Sequence, residues 1–341
     1  KITSKIYYKS LPVILFSIFF CSFEFLLAHL PILSFTWLNI ATIPIDINFL
    51  HNFLRSGGGE LLTFIFILVS AGITKYFVNK IKGDLKFKQI LISTLLSIFI
   101  ISTFSLGFIG NKVGTARYSI SVVQGNDINR YLTQDEINDN YLRKSHIKLA
   151  QQIDTTPDLI IFPESSFNED PSDKENGLLR DLTPIASKAK SMLIFNTITE
   201  NKTNYYNTNL FYSPEMKYLG SYSKKRLVPF GEYVPLKNLW GSWSLFSDIG
   251  SGFTPGRKDM TINGVSSLIC FESAFSDDFR NAITSSTKLM IITTNNRSYR
   301  RSGNSEQHLA QSKLRAIEYS IPVVHASVSG KSALIGKDGE I

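Results

Sequence analysis

The sequence predicts an α/β fold, its sheets covered by helices, attached to an α-helical membrane region. Three observations lead there. Apolar residues are spread unevenly over the 341 positions, the long uncharged runs being confined to residues 1–112. From residue 113 to 341, short β-favouring runs alternate with stretches of helical spacing. Those short runs are almost continuously apolar, as strands covered on both faces must be.

In the first region, residues 11–33 form a long apolar segment interrupted by Glu24 and His29; residues 60–79 form a second and residues 89–109 a third. Each approaches the roughly 20 residues that an α-helix needs to cross a bilayer. Three in succession predict membrane spans rather than buried core helices. Lys1, Lys5 and Lys9 precede the first span, and Lys75, Lys80, Lys82, Lys86 and Lys88 crowd between the second and third. Short loops rich in Lys and Arg stay on the cytoplasmic side. The loop 34–59 and everything beyond residue 110 are therefore expected outside the cytoplasm. Glu24 and His29, costly in lipid, are expected to make a helix-packing contact or to line a cavity.

Residues 113–341 read as one globular domain. Arg117 to Gln124 is a strand candidate closed by Gly125. Thr133 and Glu136 make a capping box ahead of Leu142, His146, Leu149 and Ile153, which recur at helical spacing. Further strands are expected at Asp158–Phe162, Met192–Thr197, Asn209–Tyr212, Ser266–Cys270, Leu289–Thr293 and Val323–Ser327. A short helix is expected at Ser276–Ile283, and another through Ala310, Leu314, Ile317 and Ile321, ending before Pro322. Glu164, Cys270 and Asn295 each follow a strand end, and strand ends that converge make a site.

Composition narrows the function. Two Cys, of which Cys21 lies in an apolar run, offer no disulfide framework, and five scattered His offer no pair at ligand spacing, so neither a metal nor a cofactor is expected. The net charge of +8 comes without a nucleic-acid motif and is read as matching an anionic membrane surface. There is no G-x-S-x-G, and Gly57-Gly58-Gly59 opens an apolar span instead of following a strand as a phosphate loop would. Residue 1 is Lys, and Lys337 to Ile341 stop where a turn would pass into another strand, so the sequence reads as a piece of a longer chain.

The chemistry is expected around Cys270. A thiol attacks only as thiolate, which a nearby cation favours. A carboxylate in a poorly solvated pocket can take the thiol proton and return it to a leaving group. An ammonium beside the reacting carbonyl stabilises the oxyanion. Glu164, Lys224 and Cys270 supply these three functions. Taken singly each has an ordinary role open to it: a small buried hydrophobe for Cys270, a solvated turn for Glu164, and a solvated basic cluster for Lys224-Lys225-Arg226.

Four segments decide between these readings: Ile161-Phe162-Pro163-Glu164-Ser165, Leu227-Val228-Pro229-Phe230-Gly231-Glu232-Tyr233-Val234-Pro235, Leu268-Ile269-Cys270-Phe271-Glu272, and Glu306-Gln307-His308-Leu309 through Leu314-Arg315-Ala316-Ile317-Glu318. They resemble the bacterial apolipoprotein N-acyltransferases, membrane members of the nitrilase superfamily. The nine-residue string from Leu227 is the most specific part. The resemblance implies a nitrilase-like α/β/β/α sandwich on a transmembrane base, with Glu164 as general base, Lys224 as oxyanion partner and Cys270 as nucleophile. It also implies that Glu232 orients Lys224, that Glu272 is the carboxylate following the nucleophile, and that Phe271 stands where the family commonly has Tyr. The implied reaction takes an acyl chain from a phospholipid such as phosphatidylethanolamine, holds it as a thioester, and passes it to the α-amino group of a diacylglyceryl-cysteine lipoprotein. The implied protein is a monomer, multi-pass in the bacterial inner membrane, with its catalytic domain on the periplasmic side and no nucleic-acid partner.

One loop departs from the family. Thr294-Asn295-Asn296-Arg297-Ser298-Tyr299-Arg300-Arg301 stands where the resemblance expects Asn-Asp-Ala-Trp-Phe-Gly, with Arg297 on the Ala and Ser298 on the Trp. Asn295, Ser298 and Tyr299 are expected to touch substrate. Arg297, Arg300 and Arg301 offer a grip on a lipid phosphate. Two rival readings follow: a nitrilase-type amidase with the same three residues, which would have no use for apolar spans, and a catalytically silent lipoprotein-binding homologue, favoured by the altered loop.

Overall fold

Period-two alternation sorts the strand residues between two faces, and the fold follows from where those faces go. The computed structural model describes residues 2–30, 34–81, 117–125, 133–138, 140–236, 252–299 and 302–341. The expected span at 89–109, together with Arg300 and Arg301, lies outside the described residues. Two compact units emerge: residues 1–112 with 314–320, and residues 113–313 with 321–341.

In the first unit, helix α1 spans Ile2–His29 and α2 spans His51–Ile81. Leu11–His29 and Asn48–Asn79 are long and apolar enough to cross a membrane by length and composition. α1 ends at His29, short of the expected residue 33, with Pro31 close behind in the sequence. α2 is broken at Gly57 and Gly58, where the backbone leaves helical geometry. Gly58 has φ 69°, and a Cβ there would meet carboxylate oxygens of Glu60 and Glu318 at 2.7 Å each. A side chain there would have to hold a left-handed backbone and push both flexible carboxylates aside. Ala41, Ile45, Leu54 and Leu62 form a small core with Leu314 and Ile317.

The second unit holds two five-stranded sheets. The first comprises β1 (Ile120–Val122), β2 (Leu159–Ile161), β3 (Met192–Asn201), β4 (Asn204–Tyr212) and β5 (Tyr218–Ser223) in sequential order. β1, β2 and β3 run parallel; β4 and β5 continue antiparallel. The second comprises β6 (Thr261–Ile262), β7 (Val265–Ile269), β8 (Leu289–Thr294), β9 (Val323–Ser327) and β10 (Ala333–Ile335), with β7, β8 and β9 parallel and antiparallel strands at both edges.

Alternate residues of β2, β3 and β4 divide cleanly. Ile160, Leu193, Phe195 and Leu210 join an outer core with Ile147, Leu182 and Ile185 of the helices α4 (Tyr141–Ala150) and α5 (Leu178–Ala189). Leu159, Ile161, Ile194 and Phe211 meet Val265, Leu289, Ile291 and Val324 of the second sheet. Helix α6 (Ser276–Ala282) lies against β7, and from α7 (Asn304–Tyr319) Ser312 bonds His325 of β9 at 2.7 Å. The layers are thus helix, sheet, sheet, helix, the α/β sandwich that the sequence predicts. The capping box forms at Thr133 and Glu136, but the helix it opens, α3 (Gln134–Asn138), stops before Asn140, whose φ of 52° separates it from α4.

One end of the inter-sheet layer is polar. Continuing the inward positions from Ile194 and Phe211 gives Asn196, Asn209 and Asn207. Asn209 Nδ2 donates to Ser267 Oγ at 2.7 Å and its Oδ1 accepts from Thr293 Oγ1 at 2.9 Å, so the sheets are tied by hydrogen bonds where they cease to be greasy. Buried amides survive only when paired this way. The site is built on that end.

Candidate active site

Cys270 follows directly on β7 and opens a 3-10 turn, Cys270–Ala274, so the expected strand ends one residue early. The reason is local: Cys270 has φ 54°, a left-handed conformation that costs a side-chain-bearing residue about 1 kcal/mol or more. The Asn295 N–H, just beyond β8, favours the ionised form of the sulfur. Cys270 is 9% exposed. Burial and the negative charge of Glu164 push its pKa well up, against the opposing pull of Lys224 and the Asn295 N–H. At rest the group is a thiol, and its proton must be taken by a partner.

That partner cluster comes from the first sheet. Glu164, three residues past β2, is 5% exposed, and Lys224, one past β5, is 1% exposed. Lys224 Nζ donates to Glu164 Oε1 at 3.3 Å and to Glu232 Oε1 at 2.9 Å. Burial opposes the ammonium charge, but the two carboxylates outweigh it and hold its pKa well above the usual lysine range. Asn207 Nδ2 bridges the same two oxygens, at 2.8 Å to Glu164 and 3.1 Å to Glu232. Asn207 is fixed in turn by Asn196 Nδ2, which donates to its Oδ1 at 2.7 Å. Glu232 reaches back from the loop Leu227–Pro235, where its Oε2 accepts the Val228 N–H at 2.8 Å.

Two valences are left over. Among the described residues Glu164 Oε2 has no hydrogen-bond partner, and the ammonium has used two of its three donors. Both Glu164 and Lys224 act electrostatically on the Cys270 sulfur. A spare acceptor and a spare donor beside a thiol can move a proton and hold an oxyanion.

Residues 120–341 match the family described as carbon-nitrogen hydrolase. The chain belongs to that family. Curated relatives named apolipoprotein N-acyltransferase include one from Wigglesworthia glossinidia brevipalpis, 30% identical over 260 residues, covering 72% of this chain and 51% of that one. Another, from Haemophilus ducreyi, is 27% identical over 347 residues, covering 97% and 66%. The chain thus spans between half and two thirds of the length of these two relatives. Among solved structures, an amidase from Nesterenkonia sp. is 20% identical with a TM-score of 0.43, covering 67% of this chain and 88% of that one.

Glu272 is a different kind of acid. Its Oε1 accepts from Tyr222 Oη at 2.9 Å and from the N–H groups of Lys225 and Arg226 at 2.7 and 3.1 Å; its Oε2 accepts from the Ile269 N–H at 2.8 Å. It staples the turn after Cys270 to the strand that delivers Lys224. Burial, with the charge of Asp278, pushes its pKa up to about 7. Phe271 is buried and packs edge-on against Phe275, ring centroids 5.0 Å apart, on whose face Arg226 also sits.

The departing loop divides. Asn295 serves Cys270 through its backbone, while its side chain accepts the Arg297 N–H at 3.1 Å. Tyr299 is half-buried and feels the charges of Cys270, Glu164 and Lys224, its phenol pKa raised chiefly by burial. Ser298 is exposed. Arg297 lines a cavity of about 190 Å³ whose walls include Glu136, Glu169 and Arg143. Carboxylates there work against a phosphate grip by Arg297.

Two residue sets were missed from sequence. Asn196 and Asn209 lie inside the expected strands Met192–Thr197 and Asn209–Tyr212 and Asn207 just outside, none with a role assigned; their signal was the spacing of two that continues Ile194 and Phe211. His308 was quoted without a role. It is fully buried, with Nε2 at 3.1 Å from the Cys270 carbonyl and Nδ1 at 2.7 Å from the Asn296 amide. Burial lowers its pKa to about 4, so the imidazole is neutral. A neutral ring donates once. Both neighbours are oxygens, the Cys270 carbonyl at Nε2 and Asn296 Oδ1 at Nδ1, so the single N–H of the neutral ring serves one of them at a time.

Proposed function

We propose that the chain carries the catalytic part of an apolipoprotein N-acyltransferase, with Cys270 as nucleophile, Glu164 as acid–base and Lys224 as oxyanion donor. The observation that supports it is the unbonded oxygen of Glu164 and the third N–H of Lys224, in two groups that both act electrostatically on the Cys270 thiol. Glu164 takes the thiol proton as sulfur attacks the ester carbonyl of a phospholipid. The third N–H of Lys224 meets the developing oxyanion. Collapse breaks the ester bond, Glu164 returns the proton to the departing alkoxide, and a lysophospholipid leaves behind an acyl thioester. The α-amine of a diacylglyceryl-cysteine lipoprotein then attacks the thioester and gives a proton to Glu164. The amide forms, and the sulfur leaves and takes that proton back.

Asn207 and Glu232 hold Glu164 and Lys224 in place, and His308 fixes the backbone of the nucleophile. Leu11–His29 and Asn48–Asn79 cross the bacterial inner membrane with their Lys-rich flanks inside. The sandwich then stands on the periplasmic side, where the lipoprotein acceptor is presented. The apolar helices favour this reading over a soluble amidase.

The test is a two-stage mass measurement. Incubation with a phospholipid bearing an isotopically labelled acyl chain is expected to add that chain to Cys270 as a hydroxylamine-labile adduct. A diacylglyceryl-cysteine peptide is then expected to remove it and become N-acylated. Release of free fatty acid without peptide acylation would mark a hydrolase instead, and no adduct at all would mark a silent homologue.

A further inference from the structure

Asn196 lies in β3 at the polar end of the inter-sheet layer and is 2% exposed. Its side chain is a junction. The Oδ1 accepts the Ser165 N–H at 2.9 Å, and the Nδ2 donates to Asn207 Oδ1 at 2.7 Å and to Asn209 Oδ1 at 3.0 Å. Asn207, 8% exposed, gives its own NH2 to the Glu164 and Glu232 carboxylates. Asn209, fully buried, is committed to Ser267 and Thr293 of the second sheet.

The direction of these hydrogen bonds is forced from both ends. A backbone N–H can only donate, so Ser165 requires the Asn196 oxygen to face it; a carboxylate can only accept, so Glu164 requires the Asn207 nitrogen to face it. The two requirements meet in the middle, where an Asn196 NH2 faces an Asn207 oxygen. Reversing the Asn207 amide would set NH2 against NH2 on one side and an oxygen against two carboxylates on the other. The chain of bonds also closes on itself: it starts at the residue that follows Glu164 in sequence and ends on the Glu164 side chain. Ser165 has φ 60°, a left-handed backbone that side-chain-bearing residues seldom adopt, and Asn196 holds its N–H. In so buried a place a lost partner is poorly replaced by water.

We propose that Asn196 is a positioning residue for the acid–base step. It holds the turn that carries Glu164 and fixes the Asn207 amide with its NH2 toward the two carboxylates, so it acts on the thiol through Glu164. This rests on the reading of Glu164 as acid–base given above. The alternative is that Asn196 serves as a tie between the sheets through Asn209, in which case its loss would disturb Cys270 whether or not Glu164 could take a proton.

The test uses the full chain and follows alkylation of Cys270 by iodoacetamide at constant pH, resolved from Cys21 by peptide mass. The reagent reacts with thiolate, so it needs the proton transfer and no lipid. Asn196→Leu, close in size and without hydrogen-bonding groups, is expected to slow alkylation about tenfold, the worth of one hydrogen bond in a charged cluster. In the Glu164→Gln background the same substitution is expected to change the rate by less than about twofold, because residues that act through one another are not additive. Each rate is recorded below the unfolding midpoint of its variant. Should Asn196→Leu not fold, Asn196→Ser, whose hydroxyl is too short to reach both partners, gives the same comparison. Alkylation that is undiminished by the substitution, or equally slowed in both backgrounds, overturns the positioning role; equal slowing would mark the tie between the sheets. The acyltransferase reading fails separately, as an unmodified chain that is alkylated at Cys270 but takes no acyl chain from phospholipid, and the Asn196 comparison holds in that event.

Discussion

Glu164 and Glu272 are both buried acids just beyond the end of a strand, one on each sheet, and they are held by opposite means. Glu164 faces an ammonium and an amide through one oxygen and keeps the other unbonded. Glu272 spends both oxygens, three of its four donors being backbone N–H groups. Proximity to the sulfur does not tell them apart; Glu272 is two residues from it in the chain. On the proposed mechanism, what distinguishes the acid–base residue from the acid that fastens is a valence left unfilled.

That contrast can be broken by substitution. The largest effects are expected at the first sheet's acid and the thiol. Cys270→Ala should bring thioester formation below detection, and Glu164→Gln should lower its rate about 10³-fold, within the range of general acid–base contributions, with a smaller stability loss than at Glu272 because Glu232 still pairs the Lys224 ammonium. Glu272→Ala should do the reverse. It strands three buried N–H groups and a phenol, so a loss of about 3 to 5 kcal/mol in denaturant unfolding is expected, while the protein that remains folded keeps most of its rate. A Glu272 variant as inactive as Glu164→Gln, yet fully stable, would erase the distinction.

Acid titration sharpens it. His146 and His308 are held neutral with pKa values of about 4, burial being the main cause in each. An unfolded chain protonates these rings first as pH falls from about 6.5. The stability they contribute is therefore full above that pH and is lost on the way to 4, by roughly 3 kcal/mol apiece. Glu272, raised to about 7, has the opposite sign: the folded state keeps its proton longer, so its contribution declines as pH rises from about 4.5 to 7. The two imidazoles should prevail, giving net acid lability in chemical unfolding between pH 6.5 and 4. Glu272→Gln should steepen that slope.

Smaller effects test the supports. Asn207→Leu removes a donor shared by Glu164 and Glu232, and a roughly tenfold to hundredfold loss in acyl transfer is expected from a missing hydrogen bond to charged groups. Ser298→Ala, at an exposed position, should change the rate by less than about twofold, in keeping with the small effects of most surface substitutions.

Much of this was legible from the chain alone, and the omissions have physical causes. Continuous apolar runs located the central strands, and Val323–Ser327 matches its expected limits. Lys224 was the hardest to read locally, because Lys224-Lys225-Arg226 looks like a solvated cluster. Its charge is paired by Glu232, eight positions on, and by Glu164, sixty positions back, and no local window contains the second partner. β5 escaped notice because Tyr218–Ser223 mixes exposed, half-buried and buried positions and has Leu219 as its one aliphatic side chain. α7 begins at Asn304, before the first expected apolar position, since its opening turn is polar. The asparagines were hidden by their own chemistry: amides suggest turns, and only their pairing across the sheets makes them core.

The hydrogen bonds from Asn209 to Ser267 and Thr293 carry one more consequence. Acid and amine ride on one sheet and sulfur on the other, so the reacting distance is set by the spacing between two slabs and not by any single loop. Warming that lets the slabs slide by an ångström would silence the chemistry while every strand remained paired. Loss of turnover should therefore precede the calorimetric transition, and the interval between the two would gauge how firmly the amide rivets hold.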